Sequence, residues 1–142
     1  MLQAVQKVLT TDQLLKLQKD ADRVYVDPAL MEYAVRMATA TRKPQEVGLK
    51  ELERYIMFGA SPRASINLIL TGRALAFVRG RNYALPQDVL DMALDVMRHR
   101  IVLSYEALSD NVTGDDLLNK ILDRIPIPVV PLHEHADIRS NA

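Results

Sequence analysis

The 142-residue sequence has no cysteine, no tryptophan, only 5% aromatic residues and no net charge. Without cysteine, thiol catalysis, disulfide frameworks and cysteine-liganded zinc are excluded. Equal totals of 18 basic and 18 acidic side chains argue against a strongly basic protein that relies on long-range attraction to nucleic-acid or membrane phosphates. No apolar run approaches the roughly 18 residues of a membrane span, and the N-terminus carries no basic-then-apolar signal segment. The expectation is a soluble, cytoplasmic protein of a reducing compartment. The five glycines (Gly48, Gly59, Gly72, Gly80, Gly114) never form a G-x-x-x-x-G-K-[ST] loop, and no apolar strand ends in an Asp-Glu pair. The chain therefore does not by itself cradle a triphosphate and its magnesium. No serine sits in a G-x-S-x-G setting, and His99, His133 and His135 lack metal-ligand spacing within an ordered element. Neither a serine nucleophile nor a metal site is expected.

What is present is enough chain for one core: a domain of this length buries about 70% of the surface its unfolded form exposes. The zero net charge also conceals a pattern. Residues 1–60 carry nine basic and eight acidic side chains, residues 61–100 six and three, and residues 101–142 three and seven. All six basic residues of the middle block are arginines: Arg63, Arg73, Arg79, Arg81, Arg98 and Arg100. Arginine is the residue preferred for fixed, forked contacts to phosphate or carboxylate.

Helix starts are the clearest local signals. Thr10 and Gln13 form a capping-box pattern for a helix to about Asp22, with Leu9 and Leu14 as a staple. Asp27 and Pro28 cap and open a second, whose Leu30, Tyr33, Ala34, Met37 and Ala38 recur on one face. A third runs from Ser61-Pro62 to about Arg79 and is stopped by Gly80. Its expected stripe is Ile66, Ile69, Leu70, Ala74, Phe77 and Val78, with Leu68, Leu75 and Ala76 beside it, which suits a central helix. Pro86 opens a fourth, with Asp88 and Asp91 at its positive end, Arg98, His99 and Arg100 at its negative end, and Val89, Ala93, Val96 and Met97 buried. Thr113 and Asp116 cap a fifth, which presents Leu118, Ile121, Leu122 and Ile125. The methionines at 31, 37, 92 and 97 fall at core spacing. Residues 43–60 read as a connecting arm with at most a turn or two of helix. Residues 101–105 read as extended chain paired with 83–85. The expected architecture is all-α, a bundle of about five helices over residues 1–125 with at most a short two-stranded bridge. Residues 126–142 would be an extended Pro-rich segment and a disordered tail.

The local anomaly is Arg63. In the first turn of the third helix, the macrodipole disfavours a cation by about 0.3–1 kcal/mol. Such an arginine either turns outward to pair with an acid such as Glu53, or joins the helix start in binding a phosphate. Arg98-His99-Arg100 reads most simply as a charge-complementary helix end, and Arg79-Gly80-Arg81 as a solvated helix terminus.

The run Phe58-Gly59-Ala60-Ser61-Pro62-Arg63-Ala64-Ser65 closely resembles the G-A-S-P-R-A motif of the MoxR family of AAA+ ATPases. Residues 74–89, from Ala74 to Val89, and 98–107, from Arg98 to Ala107, resemble the rest of that family's C-terminal signature. The likeness is dense over residues 56–107 and looser over 9–42. It implies that this chain is the helical lid that closes over a nucleotide held by an α/β core. Arg63 then matches the sensor-2 arginine, a catalytic and nucleotide-binding residue, and Ser61 and Pro62 set the helix start that aims it. The resemblance also implies ATP and magnesium bound mainly by the core, and a homo-oligomeric ring, usually a hexamer. It implies chaperone-like maturation or cofactor insertion in client proteins, often with von Willebrand factor A-domain partners. An autonomous helical nucleic-acid-binding module and a protein-interaction adaptor are the competing readings; neutral charge and few aromatics count against the first.

Overall fold

In the computed structural model, which describes residues 6–130, the paired cues of the second helix place its residues as expected. Asp27 accepts from the Ala29 amide at 2.8 Å, Pro28 opens the first turn, and helix α2 runs over Pro28–Arg42. Leu30, Tyr33, Ala34, Met37 and Ala38 are all buried. Helix α1 (Thr11–Ala21) precedes it, with the Thr10–Gln13 capping box formed but none of its residues buried. Leu9 and Leu14 remain about half exposed.

The 43–60 arm is more ordered and more deeply packed than a connector. Two 3-10 turns, Pro44–Val47 and Lys50–Tyr55, insert Pro44, Leu49 and Leu52 into the core. Strand β1 (Ile56–Phe58) follows and pairs antiparallel with β2 (Val102–Leu103), Ile56 opposite Leu103 and Phe58 opposite Val102. The expected pairing of 101–105 with 83–85 is therefore not made. The Ser104 amide donates to the Tyr55 carbonyl at 3.0 Å, and Tyr83 instead bridges Tyr25, where the Ala84 amide meets the Tyr25 carbonyl at 2.9 Å. The buried Leu49 and Leu52 hold the arm against the body and bring β1, not 83–85, alongside β2.

Helix α3 (Pro62–Val78) is central, but its buried stripe is not the one its largest residues suggest. Ala64, Leu68, Gly72 and Ala76 are buried, whereas Ile66, Leu70 and Val78 are 59%, 49% and 80% exposed. Ala64, Gly72 and Ala76 let neighbouring helices approach closely, with Leu68 the one large residue on that face, so the face that permits close packing turns inward. Met31 likewise lies outside, 46% exposed, while Met37 and Met97 are fully buried. At the C-terminal end the Gly80 amide donates to Phe77 and the Arg81 amide to Ala76, a Schellman arrangement for which Gly80 supplies φ +76.

The fourth helix is two: α4 (Pro86–Asp91) and α5 (Ala93–Met97), separated by Met92. A 3-10 turn, Arg98–Arg100, follows, then α6 (Tyr105–Ser109) and α7 (Gly114–Leu122) with its Thr113–Asp116 capping box. The main core joins α2, α3, α4, α5 and α7. A second cluster of Val24, Val26, Leu30, Ala76 and Ala84 closes the other end and receives Val130 from the extended 126–130 segment. The His133-Glu134-His135 run and the rest of residues 131–142 lie outside the described residues.

Arg79-Gly80-Arg81 is not a solvated terminus. Asp88 is fully buried, and Arg81 grips it with both Nη atoms at 2.6 and 2.7 Å. Arg79 reaches Asp88 at 2.8 Å and Asp91 at 2.6 Å, while the Leu85 amide donates to Asp88 at 2.8 Å. Burial alone would raise the Asp88 carboxyl, but the Arg81 fork, the Leu85 amide and Arg79 together hold its pKa below the ordinary carboxylate value. Asp88→Asn takes away the only carboxylate that Arg81 contacts among the described residues and leaves Arg79 with Asp91 alone. Because Arg79 and Arg81 keep some access to water, the expected cost lies near the low end for a broken buried pair, about 3 kcal/mol by urea unfolding. A depressed carboxylate stabilises the fold above the unfolded-state pKa and loses that contribution as pH falls through the folded value. Wild-type stability should therefore decline below about pH 4, and that part of the decline should be absent in Asp88→Asn.

Candidate functional site

The motif around Arg63 is built where the C-terminal end of α2 meets the start of α3. Each residue has a separate reason to be what it is. At Gly59 the chain passes so close to α2 that a Cβ would lie 2.5 Å from the Thr41 carbonyl oxygen. Ala60 is buried, and its amide donates to Thr41 Oγ1 at 2.8 Å. Thr41 is itself fully buried and donates its hydroxyl to the Ala38 carbonyl at 2.7 Å, so both roles of that hydroxyl are filled. Ser61 occupies the N-cap position with extended backbone, φ −74 and ψ 167, and Pro62 takes the first helical position. The Ala64 amide donates to the Ser61 carbonyl at 2.8 Å, and the Ala64 side chain is buried beneath the first turn.

Between Pro62 and the buried Ala64, Arg63 is exposed. It makes no hydrogen bond or ion pair among the described residues, and the alternative pairing with Glu53 is not formed. The Ser61 side chain makes no capping hydrogen bond either. A guanidinium and a hydroxyl thus stand without a partner among the described residues at the positive end of a 17-residue helix, an arrangement that fits a phosphate group.

The other five arginines of the middle block are committed to the fold. Arg73 donates to the Asp22 carbonyl, and Arg79 and Arg81 clasp Asp88. Arg98 bridges to Asp115 at 3.0 Å at the start of α7, and Arg100 donates to the Val96 carbonyl at 3.0 Å. The Arg98-His99-Arg100 segment is thus a charge-complementary helix end, as its simplest reading has it.

Thr41 was not singled out by the sequence pattern, although a signal exists. It continues the buried series Leu30, Ala34, Met37 on α2, and a polar residue on an apolar stripe is informative because it must find a partner there. Close beside it, Arg42, Glu53, Met57 and Phe58 line a shallow cleft next to Gly59.

Residues 49–121 match the family model of the AAA lid domain. The chain belongs to the AAA lid domain family. Among curated proteins, this lid is 44% identical over 124 residues to Chaperone MoxR1 of Mycobacterium tuberculosis, covering 87% of the chain and 33% of that protein. It is 36% identical over 110 residues to Protein MoxR of Paracoccus denitrificans, covering 73% of the chain and 32% of that protein. A crystal structure from Cytophaga hutchinsonii, provisionally assigned as an ATPase, superposes with a TM-score of 0.83 at 35% identity, over 87% of this chain and 38% of that one. The lid is of the MoxR type, and it spans about a third of the length of these curated relatives.

The close approach at Gly59 is directly testable. Gly59→Ala forces a Cβ against the Thr41 carbonyl, and the backbone of α2 or the 59–61 loop has to move. Such overpacking should cost about 2–3 kcal/mol in chemical denaturation, whereas Gly114→Ala, where the added carbon approaches nothing nearer than 3.9 Å, should change stability little.

Proposed function

We propose that this AAA lid couples the nucleotide state of a MoxR-type AAA+ ATPase to lid position, with Arg63 as its sensor-2 arginine. The observation that carries the reading is the partition of the arginines. Five of the six in the middle block are held by carboxylates or carbonyls, while Arg63, at the least favourable place on α3 for a cation, has no partner among the described residues. A local rule broken without internal compensation marks a functional position.

In this reading an α/β core holds ATP and its magnesium. Arg63 reaches across the cleft to the terminal phosphate, with Ser61 and Pro62 setting the α3 start that aims it. With triphosphate present, the arginine favours the closed lid and stabilises charge on the transferring phosphoryl oxygens. After hydrolysis and phosphate release that attraction is gone and the lid is free to rotate. The attacking water and the phosphate-loop lysine belong to the core. The relative named Chaperone MoxR1 supports a chaperone-like role, and the family resemblance extends the reading to a homo-oligomeric ring, usually a hexamer, and to client maturation or cofactor insertion. Von Willebrand factor A-domain partners and a cytoplasmic location follow from the same reading. No helix among the described residues is long and apolar enough to cross a membrane.

Two measurements test the assignment. Titrating the 142-residue chain with inorganic tripolyphosphate should produce weak chemical-shift changes centred on Ser61–Ala64 that vanish in Arg63→Ala. In the intact ATPase, Arg63→Ala should lower ATP turnover by about 10²–10³-fold. Removing a first-turn cation should leave the lid as stable or more stable, by up to about 1 kcal/mol. Wild-type turnover in that variant would rule out the sensor role.

A further inference from the structure

We propose that Thr41 is the positioning residue for Arg63: its buried hydroxyl latches the entry of α3 to the end of α2 and so fixes where the arginine points. The inference rests on the sensor reading of Arg63 and adds a residue from a different helix, 19 positions away from the amide it holds.

The start of a helix is usually fixed by its own N-cap side chain, but the Ser61 hydroxyl makes no such bond here. The orientation of the first turn has to come from elsewhere. Immediately upstream, the Ala60 amide donates to Thr41 Oγ1 at 2.8 Å. That oxygen cannot swing freely, because its proton is committed to the Ala38 carbonyl at 2.7 Å and the side chain is fully buried. Bonded back to the Ala38 carbonyl and packed inside the core, the hydroxyl is held where its lone pair meets the Ala60 amide. The Gly59 contact with the Thr41 carbonyl acts on the same residue from the other side. The chain entering α3 is therefore held between the side chain and the main chain of Thr41. Ala64 seals the underside of the first turn, and Arg63 is exposed with no hydrogen bond or ion pair among the described residues to steady it. Any error at residue 60 is carried through two residues to the guanidinium.

Thr41→Val keeps the size and branching of the side chain but removes the acceptor. In the intact ATPase it should lower ATP turnover by about 10–100-fold, the scale of a misplaced catalytic group, while Thr41→Ser restores turnover to within about threefold. In an Arg63→Ala background the same substitution should change turnover by less than about twofold, because a residue acting through Arg63 has nothing left to act on. In the 142-residue chain, amide hydrogen exchange at Ala60 should speed up by at least about tenfold in Thr41→Val, with slow exchange in the α7 core retained. If Thr41→Val fails to fold by circular dichroism, Thr41→Cys, which offers a weaker acceptor of similar size, is read by the same criteria.

Full turnover in a folded Thr41→Val variant overturns the proposal, as does an equal loss in the presence and absence of Arg63. If Arg63→Ala alone retains wild-type turnover, the nucleotide reading falls instead, and the latch is then judged by exchange: unchanged protection of Ala60 in Thr41→Val would overturn it too.

Discussion

The close packing of α2 against α3 is the constraint from which most of this structure follows. Both apolar clusters include residues from these two helices: Tyr33, Ala34 and Met37 meet Ala64 and Leu68 in one, and Leu30 meets Ala76 in the other. Close approach favours the α3 face where Ala64, Gly72 and Ala76 flank Leu68, and that choice sends Ile66, Leu70 and Val78 outward. It also brings the end of one helix against the beginning of the other. There the backbone at Gly59 has no room for a side chain, and the polar groups trapped in the junction have to be satisfied internally. Glycine at 59 meets the first constraint and the Thr41 hydroxyl, accepting from the Ala60 amide, meets the second. An unpaired buried amide at Ala60 would cost about 1–3 kcal/mol, so its bond to Thr41 is part of what makes the approach possible.

The electrostatics are divided in a way that net charge conceals. The arginine-rich middle block is largely neutralised inside the fold. Asp88 is the clearest case, because a fully buried carboxylate stays ionised only when several donors converge on it, and here two guanidinium groups and the Leu85 amide do so. The planar fork of Arg81 contacts both carboxylate oxygens at once, a geometry that lysine does not reproduce. This cluster pins the C-terminal end of α3 to α4, while the Thr41 junction pins its N-terminal end to α2. Arg63 stands apart from both, on the end of α3 where a positive charge is least favourable.

Much of this was legible in the sequence, and the failures have physical causes. Caps are local chemistry, so Thr10, Asp27 and Thr113 place three helix starts correctly. The buried series of α2 and α7 follow from one-sided periodicity. Helix α3 is different because it is apolar on more than one side, and periodicity alone does not say which side faces inward; close packing favoured the face where Ala64, Gly72 and Ala76 flank Leu68. The pairing of β1 with β2 depends on an arm whose burial comes from Leu49 and Leu52, a tertiary effect invisible to local pattern. Arg79 and Arg81 resembled a solvated terminus because their partner, Asp88, is seven and nine residues away across a turn. At the candidate site, Arg63 was conspicuous because it breaks a local rule. Thr41 was not, because its partners are fixed only once α2 and α3 have met.

This difference bears on how a lid could respond to a phosphate as a unit. In the proposed mechanism a pull on Arg63 acts at the first turn of α3. A loosely capped turn would bend and dissipate the displacement locally. Here the entry to α3 is held against Thr41, the underside of its first turn is filled by Ala64, and its far end is tied through Arg79 and Arg81 to Asp88, so the helix is anchored at both ends. Displacement is then shared with α2, through the junction, and with α4, through the ion cluster. Helix α1 has no buried residue, and the β1–β2 ribbon touches the core only through the partly buried Ile56 and Leu103, so both are less firmly tied to the α2–α3 pair.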